Sequence, residues 1–175
     1  NDMGNPAVTG KTRLTSFALG DTFSLWDKRL QFMLGARWQQ VHNKAYAYNT
    51  GAQTENYKKS RLSPAAGAVY RITPNWSVYG NYIESLSQGA TAASSATVNG
   101  TAYTVSNANE SLKPFVSKQK EIGTKYEAGG FGAGLTLFHT DKPRSLYVVE
   151  NNTARLTSEG KDRHRGAEIT VYGEV

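Results

Sequence analysis

The chain has 175 residues of which only 38% are hydrophobic, a length sufficient for one domain but an apolar content poor for an ordinary soluble core. It contains no cysteine, which excludes disulfides and thiolate metal sites, and no run of 18 apolar residues, which excludes a helical membrane span. Its formal charge of +6 leaves nucleic acid, an anionic membrane surface or an acidic ligand open as partners until the charges are placed.

Asn1 to Gly10 has neither a basic start nor an apolar stretch, so no signal peptide is expected there. From about Thr12 the sequence alternates with period 2, the signature of strands with one apolar and one polar face. The first strand, Thr12 to Leu25, has Phe17, Leu19, Phe23 and Leu25 in phase; Asp21 shares their face, which predicts a bulge there or a place near a membrane boundary. Leu30, Phe32, Leu34, Ala36 and Trp38 then alternate with Gln31, Met33, Gly35, Arg37 and Gln39. Leu62 to Tyr70 alternates less clearly, followed by Trp76 to Ile83, Glu121 to Ala128, and Phe131 to His139. A last strand sets Ala167, Ile169 and Val171 against Gly166, Glu168, Thr170 and Tyr172, and the alternation runs on into Glu174 and Val175.

The connections take turns in length. Trp26 to Arg29, Thr73-Pro74-Asn75 and Gly129-Gly130 carry the residues of tight turns. His42 to Ser60, Ser87 to Ser117 and Asp141 to Arg163 read as long polar loops. In an antiparallel meander every second connection lies at the same end, so this order places all short turns at one edge. A transmembrane β-barrel has that arrangement, with short periplasmic turns, long outer loops, and strands of nine to eleven residues that face lipid on one side. Trp26, Trp76 and Phe131 stand beside the short turns, and Trp38 and Tyr82 toward the other ends, as two interfacial girdles would. The competing reading is a soluble β-sandwich or lipocalin-like barrel whose apolar face points to a core.

Several stretches then resemble successive barrel strands of TonB-dependent outer-membrane receptors, the siderophore receptors in particular. They are "LSPAAGAVYRITPNWSVYGNYIESLSQG", "LKPFVSKQKEIGTKYE", "LTLFHTDKP" and "DRHRGAEITVYGEV". Tyr70, Pro74, Val78, Tyr79, Ser85 and Leu86 fill places similar to one family strand pair. Leu112, Lys113, Pro114, Lys118, Gln119, Glu121 and Gly123 match the opening of the next strand, and Arg165, Gly166 and Glu168 a later one. The resemblance implies an all-β fold: about seven strands of an antiparallel transmembrane barrel of about 22 strands, closed by a plug. On this reading residues 1–175 are an internal piece of the barrel, and the plug lies outside them.

The resemblance further implies a bacterial outer-membrane receptor that imports a ferric siderophore, energised by the TonB complex through the plug. No cofactor, resident metal or catalytic residue is expected, and the chain is not expected to be an enzyme. A passive porin-like or structural barrel and a soluble ligand-binding β-barrel are the alternatives. "GGFGAG" lacks the Gly-x-Gly-x-x-Gly spacing and reads as a turn. His42, His139 and His164 fall on separate elements.

Most cations, among them Lys44, Lys58, Lys118, Lys120, Arg163 and Arg165, fall in or beside the predicted outer loops. There they would meet phosphates of lipopolysaccharide and outer-membrane lipid, or attract anionic ferric chelates. No basic helix or nucleic-acid module accompanies them, so nucleic acid is not expected as a partner. Candidate ligand contacts are Tyr46, Tyr48, Tyr57 and Tyr103 in the outer loops, with Gln39 and Arg61 at the wall.

Overall fold

A computed structural model describes residues 7–173; the start of the Asn1 to Gly10 stretch and the alternation at Glu174 and Val175 fall outside them. Three tight turns organise the sheet at one edge. Trp26, Asp27 and Lys28 all have positive φ, as do Gly129 and Gly130, and Thr73 to Trp76 closes the third. Such left-handed pairs match the right-handed twist of the strands that they join.

The strands are β1 (Gly10–Leu25), β2 (Leu30–Tyr46), β3 (Gln53–Thr73), β4 (Trp76–Ser87), β5 (Ser95–Val98), β6 (Thr101–Thr104), β7 (Phe115–Ala128), β8 (Phe131–Glu150) and β9 (Thr153–Gly173). Seven of them form one antiparallel sheet in the order β1-β2-β3-β4-β7-β8-β9, and β5-β6 is a separate hairpin. The sheet is the predicted meander, an open segment of a barrel wall.

Two of the three predicted long loops are strands instead. β2 and β3 run on to a tight connection at residues 47–52, and β8 and β9 continue to a turn at Asn151-Asn152. Lys44, Lys58, Arg144, Lys161 and Arg163 therefore lie on strands, each in a defined register. At about 3.3 Å per residue and a barrel tilt near 40°, the 20-residue β8 rises on the order of 50 Å, well past a hydrocarbon layer of about 30 Å. Only residues 88–114 form a true long loop, with β5-β6 inside it.

The bulge predicted at Asp21 is absent: β1 pairs with β2 without interruption, Asp21 opposite Leu34. The register shifts fall instead at Ala45/Tyr46, Arg71/Thr73 and Arg144/Leu146.

Because paired residues share a face, the register sorts every side chain. One face carries, row by row, Leu25-Leu30-Tyr70-Val78-Thr124-Leu135-Ile169 and Phe23-Phe32-Ala68-Gly80-Ile122-Leu137-Ala167. These residues stand open: Leu19 is 74% exposed, Ile169 76% and Ile122 64%. In a soluble sandwich that face would be the core. Among the described residues the only cluster of buried hydrophobics is Ala92, Ala96, Val105, Ala154 and Leu156, where the long loop meets the β8-β9 extension, outside the apolar belt.

Candidate functional site

The face opposite the apolar belt is built from glycines under aromatic rings. Tyr79, Gly123 and Thr136 are consecutive cross-strand partners, and the Tyr79 ring lies across Gly123 to hydrogen-bond the Thr136 hydroxyl at 2.6 Å. Tyr172 crosses Gly132 in the same way and donates to Glu127, and Phe138 covers Gly166. A Cβ added at Gly123, Gly132 or Gly166 would come within 2.5 Å of the covering ring. Glycine is required there because the ring occupies the space of a side chain, an aromatic rescue of the strand.

Higher on the same face runs a polar ladder. Asn81 donates to Glu121 at 2.9 Å, Gln119 donates to the other oxygen of Glu121, and Thr140 donates to Gln119 at 3.1 Å. Near the short turns, Lys125 pairs with Glu127 at 2.8 Å and stands 5.5 Å from the centre of the Tyr172 ring. A wall of this kind suits water or another domain and would be costly against lipid.

A hollow of about 500 Å³ opens on this face between β1 and β4, with Arg37, Gln39, Ser63, Ile83 and Ser85 around it. Ser63 is 3% exposed, and its hydroxyl has no hydrogen-bond partner among the described residues. Arg37 and Gln39 alternate with the outward Ala36 and Trp38, so the hollow offers one cation, one amide and two hydroxyls to an oxygen-rich ligand, with the Glu84 carboxylate, held by Arg61 and Tyr82, also in its lining.

Above the hollow the long loop bends inward. Tyr57 and Asn43 are paired on the inner face of the β2-β3 extension; Gly89 N donates to the Tyr57 hydroxyl at 3.1 Å, and Asn43 donates to Gln88. Thr91 donates to Glu55 at 3.1 Å. The other flank of the loop is tied to β9. Ser106 N donates to Ala154 O at 2.8 Å, and the Asn107 side chain both donates to Leu156 O and accepts from Leu156 N. The loop thus spans from the β2-β3 hairpin to the β8-β9 hairpin.

The six predicted contact residues are not brought together. Tyr57 is 1% exposed with its hydroxyl engaged, and Tyr103 packs against the Ala92-Leu156 cluster. Tyr48 stands exposed at the β2-β3 tip. Arg61 is held by Glu84 at 3.0 Å, a carboxylate that also accepts from Tyr82 at 2.6 Å. Tyr46 lies with Lys11, Arg13, His42 and Lys44 on the outward face. Gln39 alone is on the hollow; Arg37 and Ser63 were missed, although the β2 alternation had already put Arg37 in phase with Gln39.

His42 and His139 are used in local contacts, His42 with Asn56 Oδ1 at 2.9 Å. Arg165 donates to His139 Nδ1 at 2.9 Å, and His139 Nε2 stands 3.2 Å from Asp141. Lys161, at 2.9 Å, holds the Asp141 carboxyl below the ordinary aspartate range.

Residues 1–174 match the family model described as TonB dependent receptor-like, beta-barrel. The ferrichrome receptor FcuA of Yersinia enterocolitica is 29% identical over 174 residues, covering 99% of this chain and 22% of that protein. The probable TonB-dependent receptor BfrD of Bordetella pertussis is 29% identical over 86% of this chain and 20% of its own length. The chain therefore spans about a fifth of the curated relatives it matches. Among solved structures, BauA, the ferric preacinetobactin receptor of Acinetobacter baumannii, superposes with a TM-score of 0.78 at 32% identity, over 94% of this chain and 23% of that one. The alcaligin outer-membrane receptor FauA of Bordetella pertussis, at 21% identity and a TM-score of 0.72 over 95% of this chain and 28% of its own, shares the fold.

Proposed function

The chain belongs to the TonB-dependent receptor β-barrel family and hence to the outer membrane, and from that premise we propose that it is part of the wall of a receptor importing a ferric siderophore. On this reading residues 1–175 are one barrel segment, the plug lies outside it, and TonB energises transport through that plug. No bond of the cargo is made or broken by this wall, so no residue is assigned a catalytic role and no cofactor is required.

The observation that carries the reading is the division of the sheet. Its exposed apolar belt suits lipid, while the opposite face carries a polar ladder, ring-covered glycines and the hollow at Arg37, Gln39 and Ser63. The relatives support the cargo class, since FcuA is a ferrichrome receptor and BauA a ferric preacinetobactin receptor. A ferric chelate presents anionic or carbonyl oxygens, which suit the Arg37 guanidinium and the Gln39 amide. Tyr48 at the tip remains a contact for an incoming ligand, whereas Tyr57 and Tyr103 serve by holding the loop. The soluble-sandwich alternative fails on the family, and a passive pore would not call for it.

The test uses the full-length receptor. Deleting its gene should abolish growth under iron limitation on one siderophore and not on others. In the purified receptor, Arg37→Gln should weaken binding of that ferric siderophore by about tenfold, the loss of one charge-assisted hydrogen bond. Growth undiminished on every siderophore would contradict the proposal.

A further inference from the structure

The hollow at Arg37 lies beside a seam in the wall. The β3-β4 ladder runs only from the Thr73-Trp76 pair to the Ala65-Ile83 pair, although β3 extends to Gln53 and β4 to Ser87. Pro64, the next residue of β3, has no N–H with which to carry the ladder on. Above it, among the described residues, no backbone–backbone hydrogen bond joins β3 to β4 or to the loop that follows. Side-chain contacts close the gap instead, Arg61 with Glu84 and Tyr57 with Gly89.

The register shows that the lower of these contacts passes through the wall, because paired residues share a face. Arg61 pairs with Gln39 and so starts on the inner face, whereas Glu84 pairs with Lys118 and starts on the outward face, as does Tyr82 opposite Ala66. Yet the Arg61 guanidinium meets the Glu84 carboxylate at 3.0 Å, and the Glu84 side chain is only 6% exposed. Tyr82 donates to the same carboxylate at 2.6 Å. An inner cation and an outward phenol thus meet on one carboxylate, just above the last ladder pair.

Each side of this seam opens on a hollow. Inward is the one with Arg37, Gln39 and Ser63, and Glu84 is in its lining. Outward is an apolar groove of about 700 Å³, floored by Ala66, Ala68 and Gly80 between Phe32 and Ile122. The row Phe32-Ala68-Gly80-Ile122 makes the groove, since two small residues stand between two large ones. From the seam at Pro64 the groove follows β3 down to Tyr70, about 20 Å within the lipid-facing belt.

We propose that the wall binds a ferric siderophore that carries an acyl chain. The iron chelate lies in the inner hollow, and the chain is led through the seam into the outward groove. The Arg61-Glu84-Tyr82 cluster closes the seam when no chain lies in it. The occupant must be amphiphilic, because a polar hollow and an apolar groove meet at one gap; a bilayer chain alone would use the groove and leave the hollow unexplained. The inference rests on the transport reading above and narrows its cargo.

The full-length receptor in phosphatidylcholine bilayers is titrated with ferric hydroxamate and ferric catecholate chelates, each with and without a dodecanoyl chain. Within the pair that binds, the acylated form should bind about tenfold tighter or more, through burial of its methylenes. Ala68→Leu fills the groove away from the chelate; it should remove most of that advantage and leave the affinity of the bare chelate unchanged. A diazirine at the end of the chain should label Phe32, Tyr70 or Ile122. Equal affinity of the two forms, or an advantage that survives Ala68→Leu, would overturn the proposal and leave the transport reading standing. So would labelling confined to the inner face, or spread along the whole belt to Leu135 and Ile169. Failure of every chelate to bind would overturn the transport reading and the proposal with it.

Discussion

Tyr79 reaches Thr136 only because Gly123 lies flat beneath its ring. An added methyl at Gly123 meets the ring at 2.5 Å, so either the ring leaves its hydrogen bond or the strands separate. Gly123→Ala is therefore expected to destabilise the refolded barrel by about 1–3 kcal/mol, measured from its urea midpoint. In a Tyr79→Ala background the same change should cost much less, and the difference between the two costs is the coupling. Gly134, with no ring over it and only Thr124 O at 3.6 Å, should accept alanine readily. The two glycines look alike in sequence; only the position of a tyrosine on β4, which pairs with β7, separates them.

At the scale of elements, the loop 88–114 is held by contacts from two hairpins, and the Tyr57 hydroxyl is its buried anchor. Tyr57→Phe leaves the Gly89 N–H without its acceptor, a loss of about 1–3 kcal/mol in docking. Proteolysis at the exposed Asn99-Gly100 turn should accelerate in that variant while the seven-stranded sheet remains intact. The belt portion of each strand was legible in the sequence because lipid on one side forces period 2: Leu30 to Trp38 and Phe131 to Leu137 could be sorted into faces by eye. Beyond the belt no lipid enforces one continuous apolar face, so His42 to Tyr46 and Asp141 to Glu150 remain hydrogen-bonded strand without a regular hydrophobic alternation to reveal it. The same loss of pattern hid the direction of Tyr46 and the burial of Tyr57. At Asp21 an acid on an apolar face allowed either a bulge or a place near a membrane boundary; the bulge is excluded, since the strand is regular and Asp21 accepts from the adjacent Thr22 N at 2.7 Å.

At the scale of the whole molecule, the sheet has no conventional core, and its stability as part of a barrel depends on which solvent meets each face. Leu135→Arg should cost the inserted receptor about 2–4 kcal/mol near the bilayer midplane, against at most about 1 kcal/mol for Thr170→Arg on the inner face. Thr170 is a better comparator than Thr136, whose hydroxyl already serves Tyr79. The most direct measurement is nitroxide accessibility along β8 and β9 in the full-length receptor embedded in lipid, with one label at a time. The division of faces predicts that labels at Leu135, Leu137, Ile169 and Val171 relax with dissolved oxygen, and those at Gly134, Thr136 and Thr170 with a water-soluble nickel chelate. Accessibility that fails to alternate, or that alternates in the opposite phase, would contradict the assignment of this sheet as a membrane barrel wall.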